Sequence, residues 1–316
     1  MSRQALLERV EGEGLIAGPE PLLVMLSGGR DSVCALDLGV RLRGAEAVAA
    51  LHVDYGLREE SGEDARFCAR LCGRLGVSLA IERPRRPEAG GNLQAWAREV
   101  RYAAAARRAE AAEAKIVTGH TADDQVETIL YRLASSPSRR ALLGMRPRDG
   151  RLVRPLLGSS REEVTAYCEE RGLAWREDAS NEGDAYARNR IRQGLIPELE
   201  RVHPAARENV LRTAALLRGE AALLDSLVDA ELAGGGGAAA GTIAHRRFVE
   251  LHPALRRLVL QRLADEAAGR PLAGAARFAD QVAALHRGGS ELDLGGGVRA
   301  VLEAGILRAD GPNRGT

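Results

Sequence analysis

Lysine is nearly missing from this chain: of its 45 basic residues only Lys115 is a lysine, and the rest are arginine. A Walker phosphate loop requires a lysine directly after its last glycine, so the Gly-rich stretches near the start of the chain are not Walker loops. The glycines Gly12, Gly14 and Gly18 do not make a dinucleotide fingerprint either, because they precede the first strand-like run and no helix opens after them. Cysteine is scarce as well. Cys34, Cys68, Cys72 and Cys168 include no Cys-x-x-Cys, and the four-residue spacing of Cys68 and Cys72 in an amphipathic stretch suits small packing residues better than a zinc site or a disulfide. No apolar run approaches bilayer-spanning length, and Met1-Ser2-Arg3-Gln4-Ala5 lacks the long apolar core of a signal peptide, which together predict a cytoplasmic protein with no membrane role. Net charge is also small, +1 at pH 7. That excludes a whole-molecule field for polyanions and confines any nucleic-acid surface to a local patch.

What is present is organised around Ser27-Gly28-Gly29-Arg30-Asp31-Ser32. The apolar run Leu22–Leu26 precedes it and helix-spaced apolar residues from Val33 follow it, so the order is strand, tight loop, helix. Adjacent glycines allow a sharp turn and a close approach of backbone to ligand, and the helix start together with the hydroxyls of Ser27 and Ser32 converges where a phosphate would sit. With an acid in the loop and no lysine, backbone donors would hold a pyrophosphate and Asp31 a magnesium ion that carries the countercharge.

Further strands are expected at 47–53, 77–81 and 115–119, alternating with helices at 5–15, 62–75 and 92–112, the last capped by Asn92. This alternation predicts an α/β fold with a doubly wound parallel sheet, whose ligands bind at the carboxyl edge of the strands. Two polar groups fall on that edge. Asp54 ends the second strand, where it is either a ligand contact or a strand-end cap, and His120-Thr121-Ala122-Asp123-Asp124 follows the fourth. Thr121 and Asp124 have the spacing of a capping box, which leaves His120 and Asp123 without a structural explanation. Arg98 and Arg101, three apart on the 92–112 helix, share a face that would meet an anion or water.

Composition changes at Arg139. Within 139–161 the arginines Arg139, Arg140, Arg146, Arg148, Arg151, Arg154 and Arg161 are opposed only by Asp149, and Arg188, Arg190 and Arg192 form a second group. On an otherwise neutral chain these read as local phosphate-backbone contacts. Pro197 and His203-Pro204 suggest a boundary, giving residues 1–204 as the domain that carries the phosphate loop and 205–316 as a mainly helical second domain for recognition, with a Gly-Ala linker at 234–241, helices at 248–268 and 274–285, and short strands near the end.

Taken together, several stretches resemble the tRNA(Ile)-lysidine synthetase family of the PP-loop ATP pyrophosphatase superfamily. They are Ser27–Ser32, Leu51-His52-Val53-Asp54-Tyr55-Gly56-Leu57-Arg58, Ala97–Tyr102, Thr118–Thr128, Leu143-Gly144-Met145, Arg154-Pro155-Leu156-Leu157 and Arg188-Asn189-Arg190-Ile191-Arg192. Tyr55 stands where the family usually has a histidine, and Ser135–Arg140 replaces its usual Arg-Gly-Ser-Gly type segment. The C-terminal region looks like the family's first tRNA-binding domain, without the additional terminal domain of some members.

The resemblance implies two steps on the wobble cytidine of an isoleucine tRNA: adenylation of its C2 oxygen with ATP and magnesium, then attack at C2 by free L-lysine with loss of AMP. It implies that Ser27, Gly28, Gly29, Arg30, Asp31, Ser32 and Asp54 bind ATP, with Asp31 also placing magnesium. Arg98 and Arg101 would neutralise charge, His120 with Asp123 or Asp124 would position lysine or the base, and Arg139, Arg140, Arg146, Arg148, Arg151, Arg154, Arg188, Arg190 and Arg192 would meet tRNA. Oligomeric state is left open, a homodimer included. The alternatives are a PP-loop tRNA thiolase, which would be expected to show paired cysteines, and an ATP-binding RNA-associated protein without catalysis.

Overall fold

A computed structural model of the chain describes residues 3–56, 61–85, 87, 93–136, 139–176, 187–234, 241–286 and 289–311. Leu57 and Arg58 of the second motif, the Asn92 cap, the acidic stretch 177–181, and linker residues 235–240 lie outside the described residues, as do the side chains of Arg139 and Arg140. The chain divides into two units, Met1–Ala215 and Leu216–Thr316.

Unit 1 runs α1 (Arg3–Gly12), β1 (Leu22–Met25), α2 (Arg30–Arg43), β2 (Val48–Val53), α3 (Ser61–Leu75), β3 (Ser78–Glu82), α4 (Leu93–Ala111), β4 (Lys115–Val117), α5 (Ala122–Ser135), α6 (Arg139–Leu142), β5 (Arg148–Asp149), β6 (Leu152–Val153), α7 (Arg161–Glu170), α8 (Ala187–Arg190) and α9 (Ile196–Val202), and ends within α10 (Ala206–Gly234). Its sheet has the order β3-β2-β1-β4-β6-β5. All neighbours are parallel except the β5–β6 pair.

The apolar run of β1 is continuous because both of its faces are covered. Leu22 and Val24 point into a core shared with α1, α2, α3 and α7, whereas Leu23 and Met25 pack with Ala104, Ala105 and Ala109 of α4. The doubly wound parallel sheet expected from the sequence is therefore present, with an antiparallel edge strand that the sequence did not suggest. A two-residue strand is too short to show a period of two.

Unit 2 holds the rest of α10, then β7 (Thr242–Ala244), α11 (His245–Glu250), α12 (Pro253–Ala268), α13 (Ala279–Ala283), β8 (Ser290–Gly295), β9 (Val298–Glu303) and β10 (Ile306–Asp310). The expected helix over 248–268 is two helices. Pro253 occupies the first position of α12 and the His252 side chain accepts its cap bond from the Ala254 amide, a start that proline's fixed φ favours. The four strands form an antiparallel sheet ordered β7-β10-β9-β8 around a core that includes Phe248, Val259, Leu260 and Leu307.

Candidate active site

At the centre of the unit 1 sheet β1 lies between β2 and β4. Strand order reverses there, so the segments that leave β1 and β4 meet at the carboxyl edge, where such sheets bind ligands. After β1, Gly28 adopts φ +90°, which favours glycine, while Gly29 has an ordinary φ of −73°. Only the first glycine is required by the turn. The Ser32 hydroxyl donates to the Gly29 carbonyl at 2.8 Å and lies 3.1 Å from the Ser27 hydroxyl, while the Ser27 amide donates to Ser32 Oγ and the Gly29 amide to Ser27 Oγ. The loop is thus wired internally. Helix α2 begins at Arg30 with no side chain capping it, which leaves its first N–H groups to an anion.

Asp31 lies in the first turn of α2 with its carboxylate on Arg30 Nε at 3.0 Å. Burial pushes the Asp31 carboxyl upward, and the nearby charge of Asp124 adds to this against the opposing pull of Arg30 and Arg161. The Asp31 carboxylate thus stands at the helix start that follows the loop, with the charge of Asp124 close enough to act on it. Oxygen donors of this kind beside a phosphate cradle fit a magnesium ion, which binds through one or two carboxylates plus substrate phosphates.

The β4 side approaches very closely. A Cβ at Gly119 would fall 2.5 Å from the Asp31 carbonyl oxygen and 2.9 Å from the Ser32 amide nitrogen. Next to it, His120 Nδ1 is 2.8 Å from Thr118 Oγ1. Burial lowers His120 to about 4 from its ordinary 6.5; Asp124 opposes the shift, while Arg154, Arg101 and Arg98 reinforce it. The imidazole is neutral at neutral pH, and it is where the acidic and basic sides of the site meet.

Helix α5 opens with the expected capping box: Thr121 N donates to Asp124 at 2.9 Å and the Asp124 amide to Thr121 Oγ1. Asp123, which capping left unexplained, accepts the Arg161 backbone amide at 2.8 Å and Arg207 Nη1 at 2.6 Å. Its carboxylate ties α5 to α7 and to the start of α10. One turn on, Glu127 is almost wholly buried and accepts two bonds from Arg192, Nε at 2.5 Å and Nη2 at 3.1 Å, while Arg192 also reaches Asp124 at 4.0 Å. A cation already lies against these acids.

On the basic side, the guanidinium carbons of Arg98 and Arg101 lie 4.8 and 5.5 Å from the Tyr102 ring centroid, within cation–π range. Arg101 Nε is buried without a hydrogen-bond partner among the described residues. Tyr55, the departure from the family pattern, donates its hydroxyl to the Ala97 carbonyl at 3.0 Å and meets Trp96 edge-on at 5.9 Å. It links the end of β2 to the helix that carries both arginines.

The other expected site residues divide between side chains engaged with protein partners and side chains exposed to solvent. The Asp54 carboxylate accepts the Gly56 amide at 3.1 Å and Arg83 Nε at 3.2 Å, which serves the turn after β2. Arg146, Arg148 and Arg151 are exposed around the β5–β6 hairpin, and Arg188 and Arg190 are exposed on α8. Arg154 is only 6% exposed and donates to the Arg146 carbonyl, and Arg192 is held by Glu127. The sequence did not single out Gly119, Glu127 or Arg132. For Glu127 a signal existed: it is three residues after Asp124 and four after Asp123, on one face of α5.

The buried imidazole has a measurable consequence. Between about pH 4 and 6.5 the unfolded chain binds a proton that folded His120 refuses, so this contribution to stability is complete above 6.5 and is lost as pH falls toward 4. His120→Gln should flatten that part of the profile. Urea unfolding of both proteins at pH 4.5 and 7 checks this, and parallel losses in the two would remove His120 as the cause.

The geometry can be set beside known proteins. A family model described as a PP-loop domain, ATP_bind_3, matches residues 4–199. The tRNA(Ile)-lysidine synthase of Thermus thermophilus is 40% identical over 297 residues, which are 92% of this chain and 57% of that protein. That of Salinispora tropica is 36% identical over 329 residues, covering 98% of this chain and 94% of the relative. The chain thus spans little more than half of the Thermus protein and nearly all of the Salinispora one. Among solved structures, the U34-tRNA thiolase NcsA from Methanococcus maripaludis with its [4Fe-4S] cluster is similar in fold, with TM-score 0.58 and 16% identity over 68% of this chain and 78% of that one.

Proposed function

The chain belongs to the tRNA(Ile)-lysidine synthase family, and on that premise we propose that it joins free L-lysine to C2 of the wobble cytidine of an isoleucine tRNA at the expense of ATP. In the first step the C2 oxygen attacks the α-phosphorus, the bond to pyrophosphate breaks, and an adenylated base forms. In the second the ε-amine of lysine attacks C2, a C–N bond forms, the C–O bond breaks, and AMP leaves with the oxygen. Adenylation turns a poor leaving oxygen into a good one.

The order of neighbours supports this reading: phosphate loop, Asp31, Asp124, His120, then Arg98, Arg101 and Arg154. Ser27, Gly28, Gly29, Arg30 and Ser32 would hold the ATP phosphates, and Asp31 would hold magnesium, which when bound offsets phosphate charge. Asp124 would attract the lysine ammonium at a position where Arg192 already shows that a cation is favoured. Neutral His120 would orient the base by hydrogen bonding without adding charge. Arg98 and Arg101 would offset charge on the departing phosphates. Asp123 and Asp54, whose carboxylates are engaged elsewhere, would shape the site rather than touch substrate. Exposed Arg146, Arg148, Arg151, Arg188 and Arg190 would meet tRNA phosphates, and the region from residue 205 would select the tRNA.

Two measurements test the reaction: ATP–pyrophosphate exchange, and mass analysis of tRNA nucleosides after incubation with ATP, magnesium and lysine. A lysine adduct on one cytidine is expected. A sulfur adduct would favour the thiolase alternative, and exchange without RNA modification would count against lysine transfer. The cysteines offer a second check, because Cys34, Cys68, Cys72 and Cys168 are all buried in the core of unit 1. Burial also pushes the thiols of Cys68 and Cys72 up to about 12 and 11, away from the reactive range. Replacing both with alanine should lower the melting temperature by a few degrees yet retain most of the activity, measured as adduct formed per minute.

A further inference from the structure

Beyond the phosphate loop, unit 1 carries a second group of cations that no carboxylate pairs with among the described residues. Arg132 of α5 donates to the Gly144 carbonyl at 2.7 Å, and Arg154 donates to the Arg146 carbonyl at 2.5 Å. These two carbonyls are two residues apart in one loop, so both guanidinium groups are gathered at it. Arg154 is 94% buried, being 6% exposed, and its Nε is buried with no hydrogen-bond partner among the described residues. Helix α8, which carries Arg188, packs against α5, and Arg98 is fixed nearby on Tyr102.

The electrostatics agree. Burial lowers Arg132, and the charges of Arg188, Arg98 and Arg154 lower it further. Arg154 is lowered by burial and by Arg98, and Tyr102 and Asp149 only partly oppose this. Neither arginine has an ion pair to a carboxylate among the described residues. Mutually repelling, partly desolvated arginines are costly unless an anion joins them.

Arg132 and Arg154 are held by the 144–146 loop rather than by the phosphate loop, since their guanidinium groups donate to the Gly144 and Arg146 carbonyls. Tyr131, the residue before Arg132 on α5, walls an open groove of about 380 Å³ with Ala134, Ala187, Arg190, Ile191 and Leu195, the last four from the stretch that carries Arg188. An exposed aromatic ring and aliphatic walls next to a cationic group suit a nucleobase next to its phosphate. A free pyrophosphate would make no use of them.

Building on the function proposed above, we propose that Arg132, Arg154 and Arg188 form a phosphate subsite distinct from the Ser27–Ser32 loop, and that it takes an RNA phosphodiester flanking the reacting cytidine. The reacting base then lies between two anion sites, over His120 and Asp124, with its activating phosphates on one side and its own backbone on the other.

The test uses the full chain and an anticodon stem-loop in which one phosphate flanking the cytidine is replaced by a neutral methylphosphonate. One of the two linkages should weaken binding to the wild type about tenfold, as loss of a charged contact does, and the same linkage should cost Arg132→Ala less than twofold. Arg188→Ala, at an exposed position, should show the same loss of sensitivity and serves if Arg132→Ala fails to fold. Pyrophosphate inhibition distinguishes the other source of phosphate: its inhibition constant should stay within twofold in these variants, and a tenfold rise would reassign the subsite to the leaving group. Wild-type binding that ignores both neutral linkages, or losses that simply multiply in the variants, would overturn the proposal. Lysine transfer with no response to either linkage would sink this inference alone, whereas linkage-sensitive binding with no lysine transfer would sink the function and leave the subsite standing.

Discussion

Gly119→Ala should reduce ATP-dependent AMP formation at least about a hundredfold, although the change adds a single methyl group. The new Cβ would stand 2.5 Å from the Asp31 carbonyl oxygen and 2.9 Å from the Ser32 amide nitrogen, both backbone atoms at the start of α2. A flexible side chain could swing aside, but backbone in a helix start yields only by moving the helix. Overpacking of this kind costs roughly 1–3 kcal/mol. Most of the effect should appear as displacement of the loop from β4, and a misplacement near 1 Å costs about 10²-fold in rate. Gly29→Ala is the control: its Cβ would meet Ser27 Oγ at an ordinary 3.4 Å, so its loss should be several-fold at most. ATP affinity and thermal melts of both variants check this. Wild-type affinity in Gly119→Ala would show that the loop does not depend on this close approach.

That glycine marks where the sequence stopped being readable. The strands β1, β2 and β4, the loop at Ser27–Ser32 and the Thr121–Asp124 capping box were legible because each is a local pattern: a buried apolar run, a Gly-Ser turn, or a fixed three-residue spacing. Asp123 was singled out because no local partner explained it, yet its partner Arg207 is 84 residues away. Arg192 looked like a surface cation because Glu127, 65 residues before it, carries no local sign of facing it. Gly119 and Asp31 meet only through pairing of β1 with β4. Arg132 shows its character only when the loop around Gly144 and helix α8 are folded beside it. Local chemistry pointed to one sheet edge as the candidate site; learning which side chains meet there required the tertiary partners.

Asp31→Ala should abolish magnesium-dependent AMP formation, by about 10³-fold or more, while leaving the fold intact. On the stability side the loss is small. The carboxylate sits in the first turn of α2 with 26% of its side chain exposed, and its ion pair is with its neighbour Arg30, an arrangement worth about 0–1 kcal/mol. Moreover, the folded protein holds Asp31 at a disadvantage, since burial and the charge of Asp124 both disfavour its ionised form. A carboxylate kept charged against its surroundings beside a phosphate cradle is explained by a cation that joins it in the working state. Removing it would take away the charge balance on the ATP phosphates, where preorganised electrostatics contributes most to rate. Asp31→Asn keeps the shape without the charge and should be nearly as inactive, which separates charge from packing. The measurements are AMP release across magnesium concentrations, with urea unfolding in parallel. Turnover of Asp31→Ala at the wild-type rate, with wild-type magnesium dependence, would remove Asp31 from the metal site and with it the chemistry proposed for the loop.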